Sequence, residues 1–178
     1  ELPCGEDTRF QPTAAMIAAL DPAPAGLILT SPSNPTGTML SPAELAAIAG
    51  VCRQRGIRLI SDETYHGISY GPRAHSLLES DGDAVVVNSF SKYFCMTGWR
   101  LGWAAVPALL VDVMRRFCGN LFLAPPTLSQ HVALAAMDAG CLAGMQRRVS
   151  GGDEAEFVRR SRRPQQCLEV GLHIAKID

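Results

Sequence analysis

The chain is 178 residues long, 47% hydrophobic and 19% charged, a balance that suits one soluble globular domain with a sizeable core. Its formal net charge of -1 supplies no field for steering toward nucleic acid, and no apolar run reaches the roughly 18 residues a membrane helix needs. Cys4, Cys52, Cys95, Cys118, Cys141 and Cys167 form no Cys-x-x-Cys pair and follow no signal peptide, so reduced thiols in a cytoplasm are expected; the four histidines are equally scattered, and no metal site is expected.

The opening Glu1-Leu2-Pro3-Cys4 has no methionine and no helix or strand start, so a preceding part of a larger protein is expected. Residues 13–20 predict a short helix closed by Asp21-Pro22, and residues 26–30 a buried strand that delivers the turn Ser33-Asn34-Pro35-Thr36-Gly37. Ser41-Pro42-Ala43-Glu44 is a capping box with proline at the first helical position, so a helix starts there. Leu45, Ile48, Ala49 and Cys52 then recur at helical spacing, and Gly56 is placed to end the helix in a left-handed cap.

Residues 57–60 predict a second strand running into Ser61-Asp62-Glu63, and residues 84–87 a third running into Asn88 and Ser89. Three strands that each end in a polar motif, with a helix between the first two, are the pattern of a parallel sheet carrying its site at the carboxyl ends. Residues 101–106 predict a fourth strand, and residues 107–118 and 127–139 two further helices. After Gly140 the periodicity fades and six of the fourteen arginines crowd together; this segment reads as a solvated helix face, a nucleic-acid arm or an unrelated continuation, with a divergent or truncated end favoured.

The chemistry centres on Lys92. Only two lysines stand against the fourteen arginines, and Lys92 lies in a mostly uncharged run after an apolar strand. An amine held in an apolar cleft loses part of its preference for the ammonium form and can condense with a carbonyl as a Schiff base. Eight residues later Arg100 offers a permanent cation with fork geometry suited to phosphate. The alternative for Lys92 is a snorkelling surface lysine, for Asp62 an N-cap or turn aspartate, and for Asn34 and Tyr65 turn or packing residues.

Ser89-Phe90-Ser91-Lys92 followed by Arg100, with Asn34-Pro35-Thr36-Gly37 and Asp62-Glu63-Thr64-Tyr65 upstream, resembles the class I/II (fold-type I) pyridoxal-phosphate aminotransferases over residues 1–140. The resemblance implies an α/β fold, a mostly parallel sheet with one antiparallel strand and helices on both faces, forming an incomplete large domain. Residues 1–140 would be the partial cofactor-binding domain and residues 141–178 a divergent or truncated C-terminal segment.

The implied reaction is amino transfer between an amino acid and a 2-oxo acid. Lys92 would form the Schiff base and move the substrate's proton; Asp62 would pair with the pyridine nitrogen; Asn34 and Tyr65 would face the ring oxygen. Ser89, Ser91 and Arg100 would hold the phosphate, while Gly98 and Gly102 let the backbone pass close by. Asn34-Pro35 is expected to be cis, and the intact protein a homodimer. Glu63 is assigned no catalytic role, and His66 and Tyr93 are read as structural neighbours. The family's glycine-rich phosphate turn, its ring-stacking aromatic and its substrate-carboxylate arginine find no place here, and both sheet edges are expected to be unpaired. A carbon–sulfur lyase or decarboxylase of the same fold, and a non-catalytic fragment, stay open beside the aminotransferase reading.

Overall fold

A computed structural model of the chain describes residues 1–150 and 171–176. In chain order the elements are α1 (Ala14–Ala18), β1 (Gly26–Thr30), α2 (Pro42–Arg55), β2 (Arg58–Asp62), β3 (Val85–Ser89), β4 (Leu101–Val106), α3 (Ala108–Leu121), α4 (Thr127–Ala136), α5 (Ala139–Ser150) and β5 (Gly171–Lys176). The strands form one sheet in the order β1-β2-β3-β4-β5. β1, β2 and β3 run parallel, β4 pairs antiparallel with β3, and β5 pairs parallel with β4. This is the mixed α/β sheet, parallel at all but one pairing, that the resemblance implies, with β5 added to the four expected strands.

Local chemistry sets α2. The Ser41 hydroxyl accepts from the Glu44 backbone N–H at 3.3 Å, and the Glu44 carboxylate accepts from the Ser41 N–H at 2.7 Å. Pro42 occupies the first turn, and Gly56 closes the helix at φ 67°. Leu45, Ile48, Ala49 and Cys52 lie along one face and are buried against Ile17, Leu29 and Leu59, forming the main core. Each large aliphatic side chain buried there contributes about 1.5–3 kcal/mol. A second cluster joins Phe90 and Leu101 to Ala133 and Ala136 of α4, with Phe94, Trp103 and Met145 packed against it.

Several elements differ from expectation. β1 is the sheet's edge and is not fully buried: Leu29 is in the core, whereas Ile28 on the other face is 69% exposed. β2 and β3 extend into their polar motifs, because Ser61 still pairs with Leu29 and Val86, and Asn88 with Trp103. Hydrophobicity alone stops two residues early in each. α3 continues to Leu121, and α4 ends at Ala136. The region past Gly140 is not featureless: α5 runs to Ser150, and β5 covers the β4 edge that was expected to be unpaired. Arg159, Arg160, Arg162, Arg163 and Cys167 fall outside the described residues.

Candidate active site

The three polar motifs follow β1, β2 and β3 at adjacent positions in the sheet, and parallel pairing places them at one end of it. After β1, the Asn34 turn closes by Gly37 N–H donating to Ser33 O at 2.8 Å, with Gly37 at φ 70°. The Asn34-Pro35 bond is cis as predicted; Asp21-Pro22 and Ser31-Pro32, for which no such expectation was made, are cis too. At the end of β2, Asp62 lies level with Thr30 and Val87, and one of its oxygens, Oδ1, accepts from the Thr64 N–H at 3.0 Å. Among the described residues, Oδ2 has no hydrogen-bond partner.

Asn34, Tyr65 and Lys92 come together. The Asn34 side-chain amide donates to the Tyr65 hydroxyl at 3.1 Å, and Lys92 Nζ sits 5.6 Å from the Tyr65 ring centroid. Lys92 is half-buried and, among the described residues, has no carboxylate partner.

Ser89 and Ser91 form a second group. Their hydroxyls lie 2.8 Å apart, and the Ser91 N–H donates to Ser89 Oγ at 3.0 Å. Arg100 begins the turn into β4 in the left-handed region, at φ 49° and ψ 54°, and Nη1 donates to Thr97 O at 2.8 Å. Its neighbour Leu101 accepts the Phe90 N–H at 3.1 Å, which ties the Arg100 turn to the Ser89–Lys92 segment. Among the described residues no hydrogen bond or ion pair joins Asp62 or Arg100 directly to Lys92. Gly102 does permit a close approach, to β3 itself: a Cβ there would lie 2.6 Å from Asn88 O.

Three neighbours do more than sequence reading assigned them. Glu63 is 3% exposed, and its Oε1 accepts from Ser61 Oγ, Ser76 Oγ and the Leu77 N–H at 3.1, 3.0 and 2.9 Å. His66 reaches both Ser31 and Glu63. Tyr93 packs on Gly67, where a Cβ would strike the ring at 2.6 Å, and burial raises its phenol pKa. Apart from Ser61 and the Glu63–His66 pair itself, the partners lie 13 or more positions away, so local pattern gave no signal except the charged residue placed between a strand end and a turn. A cavity of about 380 Å³, lined by Asn34, Met39, Tyr65, Ile68 and Tyr70 among others, opens beside the Asn34–Tyr65 pair.

A mostly parallel sheet with three polar strand ends, and among the described residues a lysine with no acid partner, define an α/β domain with its polar groups gathered at one end of the sheet. The family model for aminotransferase class I and II matches residues 3–151, and the chain belongs to that family. It is 52% identical over 138 residues to a valine–pyruvate aminotransferase of Mycobacterium tuberculosis, covering 76% of this chain and 36% of that protein. An aspartate aminotransferase of Geobacillus stearothermophilus is 34% identical over 137 residues, covering 74% and 35%. Among solved structures, an aminotransferase from Mycobacterium tuberculosis superposes with a TM-score of 0.80 at 48% identity, covering 84% of this chain and 39% of that one. An aromatic aminotransferase from Pyrococcus horikoshii gives 0.77 at 32%, covering 84% and 42%. The chain thus spans little more than a third of the length of the curated relatives it matches.

Members of this family use pyridoxal 5'-phosphate. The residues present fit that group. Asp62 Oδ2 is available for a ring N–H, and the Ser89 and Ser91 hydroxyls adjoin an arginine segment suited to a phosphate. Among the described residues no helix is long and apolar enough to cross a membrane, and no cluster of three metal-ligating side chains occurs.

Proposed function

We propose that these residues form part of the cofactor site of a pyridoxal-phosphate-dependent aminotransferase that moves an amino group between an amino acid and a 2-oxo acid. The observation carrying this reading is the meeting of Asn34, Tyr65 and Lys92 from three separate strand ends. When bound, the cofactor supplies an aldehyde and an electron-withdrawing ring that stabilises a carbanion.

Lys92 would hold the group through its amine and would serve as the base that carries the substrate's α-proton. Asp62, through the free Oδ2, would hold the ring in its protonated form. Because Asn34 donates to the Tyr65 oxygen, the phenolic hydrogen is left to donate onward to the ring oxygen. Ser89, Ser91 and Arg100 bind the phosphate, Arg100 through guanidinium nitrogens not engaged by Thr97. Residues 1–140 act as the partial cofactor domain, with 141–178 a divergent segment, and the family-length protein works in the cytoplasm as a homodimer.

The name of the 52% identical relative supports valine and pyruvate as the first pair to test. Residues 3–151 of this chain, exchanged into that relative, should give a chimera that transaminates and requires the 2-oxo acid acceptor. Lys92→Ala in the chimera should abolish it. Products formed from the amino acid alone would favour a lyase or decarboxylase. The isolated 178-residue chain is expected to show negligible turnover, since poor substrate positioning alone forfeits several kcal/mol, up to about 7–11.

A further inference from the structure

We propose that His66 is a positioning residue that fixes the Asn34 turn against Tyr65, with Glu63 as its anchor. His66 Nε2 lies 3.0 Å from Ser31 O. A backbone carbonyl only accepts, so Nε2 donates. The other ring nitrogen, Nδ1, faces Glu63 Oε2 at 3.4 Å, a contact that attracts only when Nδ1 carries a proton as well. Glu63 cannot shift easily, because its second oxygen is held by Ser61, Ser76 and Leu77, and its backbone carbonyl accepts the His66 N–H at 2.9 Å.

Ser31 is the head of the Asn34 turn. It is fixed independently: its hydroxyl accepts the Leu40 N–H at 2.9 Å, and its own N–H reaches Asp62 O at 3.4 Å. The imidazole therefore bridges two anchored points, one on each turn. Among the described residues, His66–Ser31 and Asn34–Tyr65 are the two side-chain hydrogen bonds that join these turns. Asn34 itself is exposed, so its bond to Tyr65 persists only while the turns hold their register. His66 supplies that register from the half-buried side, one residue from Tyr65.

The catalytic consequence rests on the reading of Asn34 and Tyr65 as cofactor-facing groups; the positioning itself does not. The first test is NMR of the 178-residue chain without ligand, following the Asn34 side-chain amide. His66→Phe keeps a ring but removes the donor, and should move that resonance to the value seen in Tyr65→Phe. His66→Gln retains an N–H donor and should stay close to wild type, while the backbone amides of residues 42–55 stay unchanged in both. An unmoved Asn34 resonance in His66→Phe, equal disruption by His66→Gln, or shifts spread through residues 42–55 would each overturn the proposal.

A second test compares dissociation constants for pyridoxal 5'-phosphate and for 3-deoxypyridoxal 5'-phosphate, which lacks the ring oxygen. His66→Phe should weaken the first by roughly threefold to tenfold and the second by less than about twofold, the span of one hydrogen bond. Equal weakening of both would overturn the positioning role. If the wild-type chain binds neither compound, the failure belongs to the cofactor reading, and the Asn34 resonance still decides the role of His66.

Discussion

The side-chain amide of Asn34 donates to the hydroxyl of Tyr65 at 3.1 Å, joining residues that lie 31 positions apart on neighbouring strand ends. The two groups are not independent; one orients the other. Tyr65→Phe should therefore remove two contacts at once, its own and the alignment of Asn34. Affinity for pyridoxal 5'-phosphate should fall by about tenfold to a hundredfold, equivalent to about one to two hydrogen bonds. Both groups are at least partly exposed, so thermal stability should change little. Parallel titration and melting of the variant check both halves.

Arg100 separates binding from stability in a different way. Its φ of 49° is a conformation that costs a non-glycine residue about 1 kcal/mol or more and costs glycine little. Arg100→Gly should leave the midpoint of unfolding level or higher, yet weaken pyridoxal 5'-phosphate binding by at least about tenfold. Unphosphorylated pyridoxal should bind both forms alike. Equal loss for both compounds would remove Arg100 from the phosphate site.

Gly102 tests the β3–β4 pairing beneath the site. A Cβ would stand 2.6 Å from Asn88 O, a backbone atom that cannot rotate away, so the strands must separate locally. Gly102→Ala should cost about 1–3 kcal/mol, read from denaturant unfolding. The disturbance should reach the Ser89–Ser91 hydroxyls, since Ser89 is the residue opposite Gly102.

The acid side of the stability profile should carry a contribution from Glu44. The Ser41 N–H, the largest effect, holds its carboxyl below the ordinary value of 4.5 against the opposing effect of burial, and the Ser41 hydroxyl and Arg9 add smaller effects in the lowering direction. A folded-state value below the unfolded one means stability that is complete above about pH 5 and lost as pH falls through the folded-state value. The side chain is largely solvent-screened, so the contribution stays under about 1 kcal/mol. Wild type should exceed Glu44→Gln in stability at pH 7, with the gap closing as pH falls below 4.5.

Much of this architecture is legible in the chain because it is written locally. The Ser41–Glu44 capping box, Pro42 and Gly56 bracket α2 to the residue, and β1 and β4 are delimited by their apolar runs. The polar motifs that hold the proposed site residues are legible for the same reason: each lies at or just past the end of a strand, or, for Arg100, just before β4. The rest depends on partners far away. His66 and Glu63 look like ordinary turn residues until Ser31, 35 positions from His66, and Ser76, 13 from Glu63, are brought to them. Ile28 reads as core because an apolar strand gives no sign of which sheet position it will occupy. α5 is concealed by its Gln146-Arg147-Arg148 run, which weakens the apolar period without breaking the helix.

The most direct measurement concerns Lys92. The 178-residue chain is incubated with pyridoxal 5'-phosphate, reduced with borohydride and digested, and the site of covalent phosphopyridoxyl attachment is read by mass spectrometry. The added mass is expected on the peptide containing Lys92, and should persist in Lys176→Ala and disappear in Lys92→Ala. Attachment at Lys176 or the chain's amino terminus with Lys92 unmodified, or undiminished attachment to the Lys92→Ala chain, would contradict it.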